Sequence, residues 1–319
     1  MKYKNFSIIV PTFNGAKKIS KALEGIKALE IPIEFKYEII IVDNNSTDNV
    51  LEIVRSFNLD NLRIVKESKQ GLLYARDRGM KESKFEIVFY IDDDIKVGKN
   101  WITSFMKIMN EKEDAGLISA SLEFPKEYNV PDICIKYQEI FAIVPNLKGE
   151  KENFISSMPC IKKEAYYFLQ EKGFKQRLVG RSSGESKYNG GEDIEFSLML
   201  GFTPYKCYDN LETKGLHFLG EDRLNFENLK ELKKASGYIL SIIAPYRYIK
   251  KPIFTYISSY YFYLGRSALS LLYSNFIKDI EEREIFKTEK KILIKSLKEG
   301  KKDYQKLERF LRKNNFSLS

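Results

Sequence analysis

The stretch Ile87-Val88-Phe89-Tyr90-Ile91-Asp92-Asp93-Asp94 constrains this chain more than any other. Five apolar residues with strong strand preference run directly into three carboxylates, which reads as a buried strand delivering charge at its carboxyl end. Open α/β sheets bind ligands at such ends. Adjacent like charges repel, so the triplet makes physical sense when a cation or a cationic side chain sits among them. On an extended chain Asp92 and Asp94 share one side, within reach of one hard divalent ion, and Asp93 points the other way. A solvated turn after a strand is the competing reading of the triplet taken alone.

The same arrangement of strand, polar loop and helix recurs before it. Phe6 to Val10 is an apolar run closed by Pro11-Thr12-Phe13-Asn14-Gly15, and Ile19, Leu23, Ile26 and Leu29 then share one helical face. Tyr37 to Val42 ends in Asp43-Asn44-Asn45-Ser46-Thr47-Asp48, followed by a helix that Ser46 or Thr47 would cap. Leu62 to Val65 and the helix Leu72 to Met80 form a third unit, and Trp101 to Met109 is the helix after the acidic strand. Such alternation predicts a largely parallel sheet with helices on both faces and every strand-to-helix loop on one edge. Thr12, Asn14, Asp43 to Asp48 and Asp92 to Asp94 would then meet in one crevice of nucleotide size. Taken singly, Asp43 to Ser46 also suits ordinary turn and capping chemistry. Neither GxGxxG nor GxxxxGK[ST] occurs, which counts against a nicotinamide enzyme and a P-loop NTPase.

Further strands are expected at Ala115 to Phe124, Ile155 to Ile161 and Thr203 to Tyr208, with a helix at Glu164 to Gln170. The pattern assigns no element from Pro125 to Asn153, and the Gly- and Ser-rich residues 180 to 190 read as a surface loop. Glu192-Asp193 open a helix, where acidic residues commonly complement the dipole. His217, the only histidine, follows at a distance that allows a return to the crevice.

With 319 residues the chain is long enough for one large α/β domain and an appendage. Lys and Arg number 53 against 44 Asp and Glu, a net +9 that suits an anionic partner. The basic residues are scattered and no nucleic-acid-binding module is recognisable, so nucleic acid is not expected as a partner. The three cysteines form no CxxC pair, so neither a disulfide framework nor a zinc site is suggested and a reducing cytoplasm is expected. No signal peptide is expected before Phe6, and no run of about 18 apolar residues marks a membrane span.

Together, Ile8-Ile9-Val10-Pro11-Thr12-Phe13-Asn14-Gly15, Val42 to Asp48, Gly71 with Ala75 to Gly79, the aspartate triplet, Gly191-Glu192-Asp193 and His217 resemble the family 2 glycosyltransferases over roughly residues 5 to 220. The resemblance implies an α/β fold of GT-A type. A Rossmann-like nucleotide-sugar-binding half (1–115) would join an acceptor half (116–220) across one sheet, with a helical extension at 221–319. It implies that Pro11, Thr12, Asn14 and Asp43 hold the base and ribose of a nucleotide-sugar, with Arg76, Asp92 and Asp93 as further donor contacts. Asp94 and His217 would hold Mg²⁺ or Mn²⁺ on the diphosphate, and Asp193 would be the general base of an inverting displacement. At a helix N-terminus that base is expected to be kept ionised.

Asp77 stands where the family often has Asn, and Met199 where an arginine is frequent. The absence of Gln-x-x-Arg-Trp suits single addition rather than processive synthesis. The implied acceptor is a glycan or lipid-linked glycan of a surface polysaccharide. A non-catalytic nucleotide-sugar-binding scaffold is the alternative, and a sugar-phosphate nucleotidyltransferase a more distant one, lacking its Gly-rich phosphate loop.

Beyond residue 220 the resemblance fades. Tyr246 to Phe276 is aromatic-rich, with Arg247, Lys250 and Lys251 preceding an apolar helix expected to break at Gly265-Arg266. Peripheral association with the inner face of the cell membrane, or packing on the catalytic domain or on another subunit, would suit it. Lys278 to Lys313 reads as a helical hairpin about Gly300.

Overall fold

The computed structural model describes residues 1–143, 160–178, 190–254 and 257–314. The expected strand from Ile155 and the loop at 180–190 fall largely outside these residues.

In strand β1 (Asn5–Thr12), Phe6, Ile8 and Val10 enter one hydrophobic layer and Ile9 the other, so the apolar run is continuous because both faces are covered. Strands β2 (Lys36–Asp43), β3 (Leu62–Lys66) and β4 (Ile87–Tyr90) join it in parallel, giving the order β3-β2-β1-β4. Helices α1 (Ile19–Lys27), α2 (Val50–Ser56) and α4 (Trp101–Glu111) cover one face, and α3 (Leu72–Glu82) the other. The strand-to-helix loops therefore share one edge. Ser46 and Thr47 do not cap α2. Ser46 Oγ accepts from Asn14 N (3.1 Å) and Thr47 N donates to Asn14 Oδ1 (2.8 Å), so they tie the first two loops together.

Past β4 the sheet becomes mixed. It continues through β7 (Cys160–Lys162), β6 (Ala115–Glu123), β8 (Lys206–His217) and β5 (Ile95–Lys96), in that order. Strand β8 is longer than the Thr203 to Tyr208 expected, because a register shift between Ala120 and Ser121 lets it follow β6 to its end. A short helix α5 (Asp132–Lys136) and a 3₁₀ turn at Gln138–Phe141 follow β6, and α6 (Lys163–Glu171) and α7 (Glu192–Leu200) cover the second face.

Part of the C-terminal region enters that core, through Ile243, Tyr246, Ile249 and Leu311. The longest of its helices, α8 (Phe226–Ile249), packs along α10 (Ile280–Glu299), and Gly237 permits the crossing: a Cβ there would meet Glu289 O at 2.4 Å. Helix α9 (Tyr260–Tyr273) runs unbroken through Gly265 and Arg266, contrary to expectation. A glycine in a helix interior costs only about 1 kcal/mol, too little to break a helix that packs on α10. Helix α11 (Lys301–Lys313) completes the expected hairpin about Gly300.

Buried Glu308 on α11 pins the start of α9, accepting from Ser258 Oγ (2.6 Å), Ser259 N (2.8 Å) and Ser259 Oγ (2.6 Å). Glu308→Ala is expected to cost about 1–3 kcal/mol in urea unfolding, since it orphans these donors. A loss near zero would show that water replaces the carboxylate.

Candidate active site

The acidic triplet does not extend the strand. Ile95 N donates to Asp92 O (3.1 Å), so the backbone turns and the expected sidedness of the aspartates is lost. Asp92 faces Arg76 (3.0 Å), while Asp93 and Asp94 both face the ammonium of Lys18, at 2.8 and 3.4 Å. Thr12 Oγ1 donates to Asp93 Oδ2 (2.7 Å), which joins the ends of β1 and β4. Burial raises the Asp93 pKa, Lys18 opposes the shift, and the net direction is upward.

The pairing of Ile95 with His217 between β5 and β8, with Phe218 N donating to Asp94 O (2.7 Å), delivers the histidine beside the triplet. His217 Nδ1 lies 2.9 Å from Phe141 O, and a carbonyl only accepts, so Nδ1 carries the proton. The Nε2 lone pair is then left toward Asp94 Oδ1 at 3.6 Å, and burial holds the ring below its ordinary pKa although Asp94 opposes this. Two electron-rich atoms facing each other, with the imidazole oriented from behind, suit a divalent cation. No group of three or more His, Cys, Asp or Glu suited to a metal occurs among the described residues. One carboxylate and one imidazole supply two donors, so a Mg²⁺ or Mn²⁺ bound there would take its remaining ligands from phosphate oxygens and water.

A second charged cluster lies at the start of α7. Gly190 and Gly191 adopt φ of 106° and 84°, and a Cβ on Gly191 would come within 2.9 Å of Ile239, so glycine lets α8 close over the helix start. Arg76 bridges Asp92 and Glu192, both at 3.0 Å. Burial works against its charge, but Asp92, Glu192 and Asp193 outweigh it and hold the guanidinium above its ordinary value. Arg76 Nε and Glu192 Oε2 are buried without a hydrogen-bond partner among the described residues, leaving polar capacity at the cavity wall. Asp193 is pushed up to about 7 by burial and by Glu192, against the pull of Arg76 and of the Ile194 N–H. That shift runs against the stabilised carboxylate expected from the helix dipole alone.

Pro11, Thr12, Arg76, Asp92, Asp93, Asp94, Asp193 and His217 line one cavity of about 930 Å³. Asn14 and Asp43 do not. Asn14, at φ 50°, and Asp43, whose Oδ1 accepts from Ser46 N (2.9 Å), brace the loops beside it. Asp77 is also outside the cavity, accepting from Tyr166 Oη (2.5 Å) and Lys81 Nζ (2.6 Å), and Met199 is in the core. So neither departure from the family pattern touches the cavity wall. Lys18 and the α8 residues Lys233, Ser236, Ile239 and Arg247 do line it, and no motif had marked them.

A parallel β3-β2-β1-β4 half continued by a mixed half in the same sheet is the GT-A architecture. The chain belongs to glycosyl transferase family 2, whose model matches residues 7–167. Asp193, His217 and the C-terminal helices lie beyond that match. The chain is 28% identical over 225 residues to the dolichyl N-acetyl-alpha-D-glucosaminyl phosphate 3-beta-D-2,3-diacetamido-2,3-dideoxy-beta-D-glucuronosyltransferase of Methanococcus voltae, spanning 64% of each. Among solved structures, the fold resembles the mannosyltransferase PcManGT from Pyrobaculum calidifontis in complex with GDP-Man and Mn²⁺. That likeness has a TM-score of 0.57 at 16% identity and covers 96% of this chain and 83% of that one. S. aureus TarS 1–349 aligns with a TM-score of 0.51 at 15% identity, covering 95% and 91%.

Proposed function

We propose that the protein is an inverting, metal-dependent glycosyltransferase that moves a sugar from a nucleotide-sugar to a glycan or lipid-linked glycan acceptor, in cell-surface polysaccharide assembly. The observation that carries this reading is the single cavity that holds both the Asp94–His217 pair and the carboxyl group of Asp193, whose pKa burial and Glu192 raise. The Methanococcus relative, by its name, acts on a dolichyl phosphate-linked sugar, which supports the acceptor class. On this reading residues 1–220 form the catalytic unit and 221–319 an extension over its acceptor side, at the inner face of the membrane.

Asp193 takes the proton of the acceptor hydroxyl as that oxygen bonds to C1 of the donor sugar. The bond from C1 to the diphosphate breaks on the opposite side, so the configuration inverts and a nucleoside diphosphate leaves. Asp94 and His217 would hold a divalent ion, which offsets the charge of the diphosphate when bound. Lys18, between Asp93 and Asp94, holds the triplet in place, and Arg76 neutralises Asp92 and Glu192 beside Asp193.

Binding of UDP-, GDP-, dTDP- and CMP-sugars, measured by calorimetry with and without Mn²⁺, tests the donor site. One nucleotide family is expected to bind, in a metal-dependent manner, and Asp94→Ala to lose at least tenfold in affinity. Folded protein that binds none of them would sink the reading.

A further inference from the structure

Residues of α8, α9 and α10, with Lys251, line a second cavity of about 340 Å³. Arg247, Lys251, Arg266 and Lys290 converge on it, with hydroxyls from Tyr263 and Ser267, over a floor of Leu240 and Leu293. No acidic residue lines it among the described residues. Lys290 is balanced by Glu289 (3.0 Å), whereas Arg266 donates to Tyr248 Oη (2.9 Å) and Lys251 lies 5.3 Å above the Tyr248 ring. These neutral partners leave Lys251 and Arg266 without an acidic group beside them in the cavity lining among the described residues, and an anion bound there would supply the opposite charge.

The surface beside this cavity is apolar. Helix α9 carries one charge, Arg266, and turns Tyr261, Leu269, Leu272 and Tyr273 outward, each at least 63% exposed, with Phe276 beyond its end at 78%. Spaced by eight, three, one and three residues, they fall within about a third of the turn of the helix and so share one face. At 14 residues α9 is about 21 Å long, too short to cross a bilayer, and no helix of the described residues is long and apolar enough to do so. An apolar stripe with tyrosines at its edge and basic groups alongside is the chemistry of a helix lying in the bilayer interface.

We propose that this cavity binds the phosphate headgroup of a membrane lipid while α9 lies in the interface. The proposal extends the glycosyltransferase reading to the acceptor side, because Arg247 lines both this cavity and the catalytic one. A phosphate held here sits one arginine away from the space where a lipid-linked sugar would react. Two sources share the chemistry: a bulk anionic phospholipid and the phosphate of a lipid-linked acceptor.

The test is flotation of the full chain with vesicles of phosphatidylcholine alone, with added phosphatidylglycerol, or with a small mole fraction of polyprenyl phosphate. Wild type is expected to bind both anionic vesicles. Lys251→Gln/Arg266→Gln should weaken that binding about thirtyfold, two charges being lost, and Leu269→Ser/Leu272→Ser should abolish it. Stronger binding of polyprenyl phosphate than of phosphatidylglycerol at equal charge assigns the site to the acceptor, and equal binding assigns it to bulk headgroups. Wild type that ignores anionic lipid, or binds neutral vesicles equally well, overturns the proposal. So does a leucine variant that changes the oligomeric state in light scattering while the charge variant binds vesicles normally. Nucleotide-sugar binding by the same variants should match wild type. If wild type binds vesicles but no nucleotide-sugar, the transferase reading fails and the headgroup site stands.

Discussion

Asp193→Asn is expected to lower turnover by about 10²–10⁴-fold while leaving nucleotide-sugar affinity within about twofold. An amide matches the carboxylate in size and can still accept the Ile194 N–H that Asp193 now accepts at 2.9 Å, so the start of α7 should stay in place. It cannot take a proton. Because burial and Glu192 push Asp193 up to about 7, its basic form grows in as pH rises through neutrality, and kcat/KM should rise tenfold per unit below pH 7 and level off above it. Stability should run the other way. A carboxyl group with a raised folded pKa contributes stability that is full below its unfolded value, near 4, and lost as pH rises through 7. The variant, with no charge to bury, should therefore melt no lower than wild type at pH 8. Turnover retained within tenfold would remove Asp193 as the base, and a flat pH profile would remove its raised pKa from the mechanism.

What the sequence made legible and what it hid follow from the range of the interactions concerned. The four parallel strands were readable because Ile8, Ile40 and Val88 are buried whichever way they point, leaving an apolar run that only a doubly covered strand explains. The meeting of Thr12, Asp92 to Asp94, Asp193 and His217 was readable because right-handed crossovers put those loops on one edge and the family motifs named the rest. The direction of each side chain was not. Asp92 and Asp94 part company because a turn replaces the extended backbone, and a turn is set by tertiary partners such as Lys18 and Arg76 rather than by three identical residues. The upward shift of Asp193 was hidden for a related reason: the helix dipole is local, whereas burial and the charge of Glu192 are set by packing. Helix α8 itself was hidden, since its first half is charged, Gly237 and Pro245 interrupt its pattern, and its partner α10 begins some 30 residues after it ends.

Arg76→Met should destabilise the fold by about 3–5 kcal/mol at pH 7, the range found when one member of a buried ion cluster is removed. Arg76 sets one guanidinium against Asp92 and Glu192 at 3.0 Å each and lowers the pKa of Asp193, while Tyr90 Oη donates to its carbonyl (2.8 Å) from the sheet beneath. Methionine fills similar volume but leaves three acidic groups together in a site with little water. Asp193 then ionises less readily still, so the rise of activity with pH should move above 7 in whatever activity survives. The loss of stability should shrink as pH is lowered toward 5, because protons replace the missing charge. Urea unfolding at the two pH values separates this from a packing defect, which would cost the same at both. Arg76→Lys is a finer probe. A single ammonium keeps the charge but cannot span two carboxylates in one plane, so most of the stability should return while Asp92 or Glu192 is released. If lysine also restored full activity, the two-armed bridge would not matter, and Arg76 would act on Asp193 through charge alone.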